Sequence, residues 1–261
     1  MKLKIHSWGG LGSQLHVLSI THDIKQKFPT RKLTIIHHTS GVSRRLFELN
    51  SILGEGIELK VVDDFKEISN SQIINVQRYK KFVVRIIKIA MKALLITLDL
   101  DQNDLNQIKP WTFEVRGHYS KKEISNEFLI NSVKLFSTKE VNDEVLPGTL
   151  VIHYRLGDLL VLTEKSIVDS GLIIDEVKKV SNFYKLQRAV VYSDSVEVAK
   201  QKLSKLGDLF DHITFSNAPT IEVIKNSIHA SFFIGTNSKV SFWIERFRKS
   251  IEKPYSIIAN N

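Results

Sequence analysis

The stretch Val151-Ile152-His153-Tyr154-Arg155-Leu156-Gly157-Asp158 reads as a β-strand whose apolar run ends on an imidazole, a guanidinium and a glycine. Alternation along a strand sends His153 and Arg155 to one face and Tyr154 to the other. Such an ending presents charge at a sheet edge, where open α/β sheets bind ligands. Arginine suits a phosphate there, because its planar fork donates two parallel, charge-assisted hydrogen bonds to phosphate oxygens. The residues predict a site for a phosphorylated donor, with Arg155 on the phosphate and His153 as a hydrogen-bonding partner of the nucleotide.

Outward from this stretch the pattern is regular. Strands are expected near 149–155, 189–193, 212–216, 232–236 and 255–259, with helical stretches between them. Nearer the N-terminus, 2–8, 33–37 and 57–62 read as strands and 43–50 as a helix. Strands alternating with helices imply an α/β fold with parallel sheets. Asn142-Asp143-Glu144-Val145-Leu146-Pro147-Gly148 is the expected linker, since Pro-Gly ends helices and a strand follows at once. The chain thus divides into an N-terminal domain, 1–147, and a C-terminal Rossmann-like donor domain, 148–261.

Two glycine-bearing turns repeat the strand-to-helix design. Gly9-Gly10-Leu11-Gly12-Ser13-Gln14 follows the first strand, and Gly235-Thr236-Asn237-Ser238 follows the strand near 232–236. Glycine lets backbone N–H groups approach an anion or sugar, and a helix N-terminus adds partial positive charge. Asn237 and Ser238 also suit a helix cap, as does Asp194 after the run Ala189-Val190-Val191-Tyr192-Ser193. Asp158 fits a turn cap, a partner that orients Arg155, or a base within reach of an acceptor hydroxyl. His16 and His118 read as structural.

These motifs, in this order, resemble those of bacterial α-1,2-fucosyltransferases, a family similar in its donor site to α-1,6- and protein O-fucosyltransferases. The family carries Gly-Gly-Leu-Gly-Asn-Gln, His-x-Arg-Arg-Gly-Asp, Ser-Asp-Asp and Asn-Ser-x-Phe-Ser-Trp-Trp. Here Ser13 replaces the Asn, Leu156 the second Arg, Ser195 the second Asp, and Phe242 stands at the first Trp of Asn237-Ser238-Lys239-Val240-Ser241-Phe242-Trp243. The resemblance implies a GT-B-like fold, two Rossmann-like domains facing across a cleft. It also implies that Arg155 is the main diphosphate contact, joined in donor binding by His153, Asp194, Asn237 and Ser238. Gly10, Gly12 and Gln14 would shape the side near the transferred sugar, and Asp158 would stand beside Arg155 in catalysis.

The expected reaction is inverting and metal-independent transfer of a sugar, L-fucose from GDP-fucose, to a hydroxyl of a glycan acceptor such as a bacterial surface polysaccharide. A related transferase using another nucleotide sugar, or a non-catalytic nucleotide- or glycan-binding protein, are the alternatives. Asp99-Leu100-Asp101 offers a rival, since paired aspartates at a strand end can hold Mg²⁺ or Mn²⁺ against a sugar diphosphate. The residues before it read better as the end of a basic helix, and no metal is expected.

Bulk properties agree with this frame. The chain has 261 residues, 43% of them apolar, enough for two ordinary cores, and no cysteine for disulfides or thiolate metal sites. A formal charge of +9, from 37 Lys+Arg against 28 Asp+Glu, favours anionic partners. No nucleic-acid motif with interleaved aromatics accompanies it, so nucleic acid is not an expected partner. Residues 1–6 lack the apolar run of a secretory signal and no uncharged segment is long enough to span a bilayer, so a cytoplasmic protein is expected. Between Glu67 and Asp99 no carboxylate occurs, while Arg78, Lys80, Lys81, Arg85, Lys88 and Lys92 lie among apolar residues. Residues 78–95 therefore read as a basic amphipathic helix, either one resting on the inner face of the membrane near a lipid-linked acceptor or a domain helix whose charged face is solvated.

Overall fold

The computed structural model describes residues 2–40, 44–64, 89–137, 147–157, 159–162 and 167–260. The chain forms two compact units, Met1–Ser125 and Asn126–Asn261. In the first, β1 (Leu3–Trp8), β2 (Leu33–His38), β3 (Ile57–Val62), β4 (Thr97–Asp99) and β5 (Glu114–Arg116) make a parallel sheet of order β3-β2-β1-β5-β4. Helix α1 (Leu11–Lys27) packs on β1 and buries Leu11, Leu15 and Leu18, the i, i+4, i+7 stripe of one helical face. Lys25 and Lys27 in its last turn complement the helix dipole.

The second unit holds α2 (Asn126–Ser137), β6 (Thr149–His153), α3 (Ser170–Tyr184), β7 (Arg188–Tyr192), α4 (Val196–Lys202), β8 (His212–Ser216), α5 (Thr220–His229), β9 (Phe232–Thr236), α6 (Lys239–Ser250) and β10 (Tyr255–Ile258). Its sheet is again parallel, in the order β10-β9-β6-β7-β8. Strand β6 is buried along Thr149–Ile152, as a strand covered by helices on both faces must be. Leu150, Ile152, Tyr154, Leu156, Ile173, Val177, Val191 and Ile234 form one apolar cluster. Each unit is thus built on a parallel five-stranded sheet, the α/β class expected from the sequence.

Three expectations are corrected. The units divide at Ser125/Asn126 and not at 147/148, because α2 belongs to the second: Phe128 meets Trp243 edge-on at 5.9 Å and Phe136 meets Phe247 at 5.5 Å. The helix expected over 43–50 is absent from its described part: residues 44–49 have no regular structure, and a single 3₁₀ turn follows at Asn50–Ile52. Their backbone groups are held by side chains instead, Arg45 O by His37 Nε2 and Leu46 O and Glu48 N by Gln14. Thr97–Asp99 is a strand paired with β5 and not the end of a helix. Of the expected basic helix at 78–95, residues up to 88 lie outside the described residues; 89–93 are helical.

Candidate functional site

Strand β6 is where the chain order of its sheet reverses, with β7 and β8 on one side and β9 and β10 on the other. The carboxyl ends of β6 and β9 lie side by side there, His153 in register with Gly235. Ligands of open α/β sheets bind at such a switch point. His153, Arg155, Asn237 and Ser238 all sit at it.

The strand ends are braced by the buried Thr236, whose hydroxyl donates to His153 O at 3.2 Å and accepts the Arg155 backbone N–H at 3.1 Å. Tyr154 points the opposite way, fully buried, its hydroxyl donating to Val168 O at 2.9 Å. Burial pushes that phenol up to about 12, so it stays neutral. Pinning Tyr154 inward turns its neighbours His153 and Arg155 to the other face.

Ser238 caps α6, its Oγ accepting the Ser241 N–H at 3.0 Å. The same hydroxyl donates to Ser241 Oγ at 3.1 Å, and Ser241 Oγ lies 2.8 Å from His153 Nδ1. With this order of donation Nδ1 accepts, and the neutral ring carries its proton on Nε2. Burial lowers His153 to about 4, Asp194 opposing the shift and Arg155 adding to it. Near neutral pH the imidazole is therefore an uncharged donor. Gly235 makes the arrangement fit, since a Cβ there would stand 2.8 Å from the Ser241 Cβ. Asn237 is exposed at the head of the helix.

Asp194 is tied to the backbone of the arginine turn. Its Oδ1 accepts Leu156 N–H at 2.9 Å and Gly157 N–H at 2.7 Å. Leu156 is fully buried in the apolar cluster, on the face of Tyr154 and not that of Arg155. Asp158 lies outside the described residues.

In the first unit, Gly9 takes a left-handed φ of 83° and Gly10 is the N-cap of α1 without a side-chain cap. Gly12 is buried within the helix. Gln14 is fully buried: its Nε2 donates to Gly9 O at 3.0 Å and Leu46 O at 2.8 Å, and its Oε1 accepts Glu48 N–H at 2.8 Å. It therefore shapes the loops around the glycine turn from beneath. His16 is buried in α1. The Asp101 carboxylate accepts the backbone N–H groups of His118 and Tyr119, and among the described residues no group of three His, Cys, Asp or Glu is placed to hold a metal ion.

The sequence reading missed an array on the same sheet. His6 Nδ1 lies 2.8 Å from His38 Nε2, His38 Nδ1 lies 2.7 Å from Asp64, and His6 Nε2 pairs with Glu114. His6, and Arg116 after it, hold the Glu114 carboxyl down at about 2 against the opposing effect of burial. Trp8 stacks on His38 at 4.8 Å. The signal was the alternation of His6 with Trp8 on a strand otherwise read only for its hydrophobicity.

Comparison with known proteins finds no matching family model and no curated protein similar in sequence. Solved structures do match. POFUT1 in complex with GDP aligns over 98% of this chain and 98% of its own at a TM-score of 0.54 and 10% identity. POFUT1 in complex with GDP-fucose aligns over 98% and 97%, with a TM-score of 0.54 and 10% identity. The E. coli heptosyltransferase WaaC with ADP aligns over 98% and 88%, with a TM-score of 0.54 and 11% identity. At these identities the likeness is one of fold.

Proposed function

We propose that this chain is an inverting, metal-independent glycosyltransferase that moves a sugar, L-fucose from GDP-fucose, to a hydroxyl of a glycan acceptor. The observation that carries the reading is the placing of Arg155 and a neutral His153 beside the capped start of α6, all at the switch point of a doubly wound sheet. In this reading the second unit binds the donor and the first serves the acceptor. The acceptor oxygen attacks the anomeric carbon, the bond to the diphosphate breaks, and negative charge grows on the leaving group. Arg155 and the backbone N–H groups at the head of α6 stabilise that charge, the part a divalent cation plays elsewhere. His153 donates from Nε2 to the nucleotide, and Asn237 supplies a polar contact at the helix head. Asp194 acts through the backbone it holds, and Gln14 through the Gly9-Gly10 turn. Asp158 is the proposed proton acceptor.

The chain's likeness in fold to GDP- and GDP-fucose-bound structures supports a nucleotide-sugar donor. Its equal likeness to an ADP-bound heptosyltransferase favours, as a second reading, transfer from another nucleotide sugar. A panel of nucleotide sugars, assayed for thermal protection, hydrolysis and transfer, separates the two. Protection by GDP and GDP-fucose with EDTA-resistant transfer is the expected result. Binding without turnover of any donor would make the protein a binding module, and no binding of any nucleotide would overturn the proposal. The reading places the protein in the cytoplasm, at the inner face of the membrane, in surface-polysaccharide assembly.

A further inference from the structure

The first unit carries an exposed apolar surface at the edge of its sheet where the strands begin. The helical residues 89–93 lead into Leu94, whose N–H donates to Ala90 O at 3.0 Å and which is 63% exposed. Trp111 is 53% exposed and lies against the same turn, its indole N–H donating to Leu94 O at 3.1 Å. Phe113 continues the surface: its N–H donates to Ile96 O, and Lys4 Nζ lies 4.4 Å from its ring centre. Side chains of this size normally supply core, so their joint exposure marks an interaction surface.

The chemistry of the patch selects its occupant. A buried indole needs a partner for its N–H. Here that donor is already satisfied within the chain, so the ring can enter a hydrocarbon boundary without an unpaired polar group. Lys4 stands against the Phe113 ring and Lys92 is exposed on the turn that leads into Leu94, cations for anionic headgroups beside a shallowly inserted aromatic and aliphatic face. Asp99 and Asp101 lie at the opposite, carboxyl edge of the sheet, and Glu114 is paired with His6 and Arg116.

We infer that Leu94, Trp111 and Phe113, with the cations Lys4 and Lys92, dock the first unit onto the surface of an anionic phospholipid membrane. Docking by the edge where strands begin leaves the carboxyl edge, with the Gly9-Gly10 turn, facing water. The inference deepens the proposed role at the membrane but stands on its own surface, so its test does not depend on transferase activity.

The test is co-sedimentation of the whole chain with vesicles of phosphatidylcholine, with or without phosphatidylglycerol. Binding is expected only to the anionic vesicles, weakening as salt rises, with a blue shift of tryptophan emission. Trp111→Ser and, separately, Leu94→Gln should each weaken binding roughly tenfold, as losing one inserted apolar side chain implies. Both sites are exposed, and unchanged circular dichroism and melting would establish that the variants fold. Wild-type protein that ignores anionic vesicles at low salt would overturn the inference. So would variants that bind as wild type does, or a concentration-dependent dimer that the variants abolish without any vesicle binding.

Discussion

The Asp194 carboxylate accepts the Gly157 backbone N–H at 2.7 Å, so the second motif of the domain holds the turn that follows Arg155. A Cβ on Gly157 would overlap Asp194 Oδ2 and stand 2.7 Å from its Cγ. Asp194→Ala and Gly157→Ala should therefore act alike, by loosening the same turn. Hydrogen bonds to a charged acceptor contribute about 1.5–3 kcal/mol each, less where water competes, so roughly ten- to hundredfold losses in kcat/KM are expected. Asp194→Asn keeps an oxygen at the accepting position and should lose less. Donor titration and amide exchange at Leu156 and Gly157 read the effect; unchanged exchange in Asp194→Ala would refute it.

Arg155→Ala tests the proposed chemistry directly. A single preorganised donor to a developing anion contributes roughly 3–4 kcal/mol, so turnover should fall by two to three orders of magnitude while melting is unchanged. Arg155→Lys should recover only part, because an ammonium lacks the paired donors of the guanidinium fork. Normal transfer rates in Arg155→Ala would remove the leaving-group assignment.

Gln14 makes a stability prediction that the sequence alone did not offer. Its buried amide makes three hydrogen bonds to the backbone of Gly9, Leu46 and Glu48. Replacing it by Leu removes all three, at about 0.5–1.5 kcal/mol each, or roughly 2–4 kcal/mol in total. Gln14→Glu should be worse, since a carboxylate oxygen would face two carbonyls. Urea denaturation and faster amide exchange at Glu48 are the readouts.

The legible parts of the fold were those where local pattern and tertiary environment agree. The five strands of the second unit were readable because runs such as Leu150-Val151-Ile152 are buried on both faces and end at turn residues. Strands β4 and β5 were not, because each has three residues and a single buried position, Leu98 or Val115, too few for any alternation to show. Residues 44–49 carry a helical spacing of Leu46, Phe47 and Leu49, yet Gln14 and His37 offer their backbone other partners. The site was half legible in the same sense. Residue types placed His153, Arg155 and Ser238 at strand ends, but only three-dimensional contact reveals Thr236 as the brace, Asp194 as the tie, or Leu156 turned inward.

The pH dependence of stability on the acid side follows from His153, together with His37 and His229, whose values burial also lowers. The folded value of His153, about 4, lies below the ordinary histidine value near 6.5, chiefly through burial. Below pH 6.5 the unfolded chain takes up a proton that the folded one refuses, so stability should fall as pH drops from about 6.5 to 4 and level off below. The full shift corresponds to about 3 kcal/mol at most, reduced by any relaxation around the ring. His153→Asn should remove the His153 share of this fall and leave that of His37 and His229. It should leave the separate loss between about pH 4.5 and 2, where Glu114 would be protonated away from His6 and Arg116. A wild-type curve unchanged between pH 6.5 and 4.5 would contradict the lowered value of the His153 ring.

Arg248 sets the last prediction, because it is fully buried and bonded to backbone carbonyls. Its guanidinium donates to Ser227, Ile228 and Ala230 through Nη1, to Ser231 and Pro254 through Nη2, and again to Pro254 through Nε. Several of these oxygens belong to the end of α5, the negative pole of its dipole, so the cation replaces a cap. Burial lowers the group to about 10, which still leaves it charged at neutral pH. Arg248→Met fills much of the same space but strands these carbonyls, costing about 3 kcal/mol or more and lowering the melting temperature by roughly 6–12 °C. Arg248→Lys should recover only part of this, for want of donors. Since the contacts lie at the end of α6 away from Ser238, kcat/KM measured well below the melting point should be unchanged in both variants. A melting curve identical to wild type in Arg248→Met would show that solvent or a neighbouring donor replaces the guanidinium.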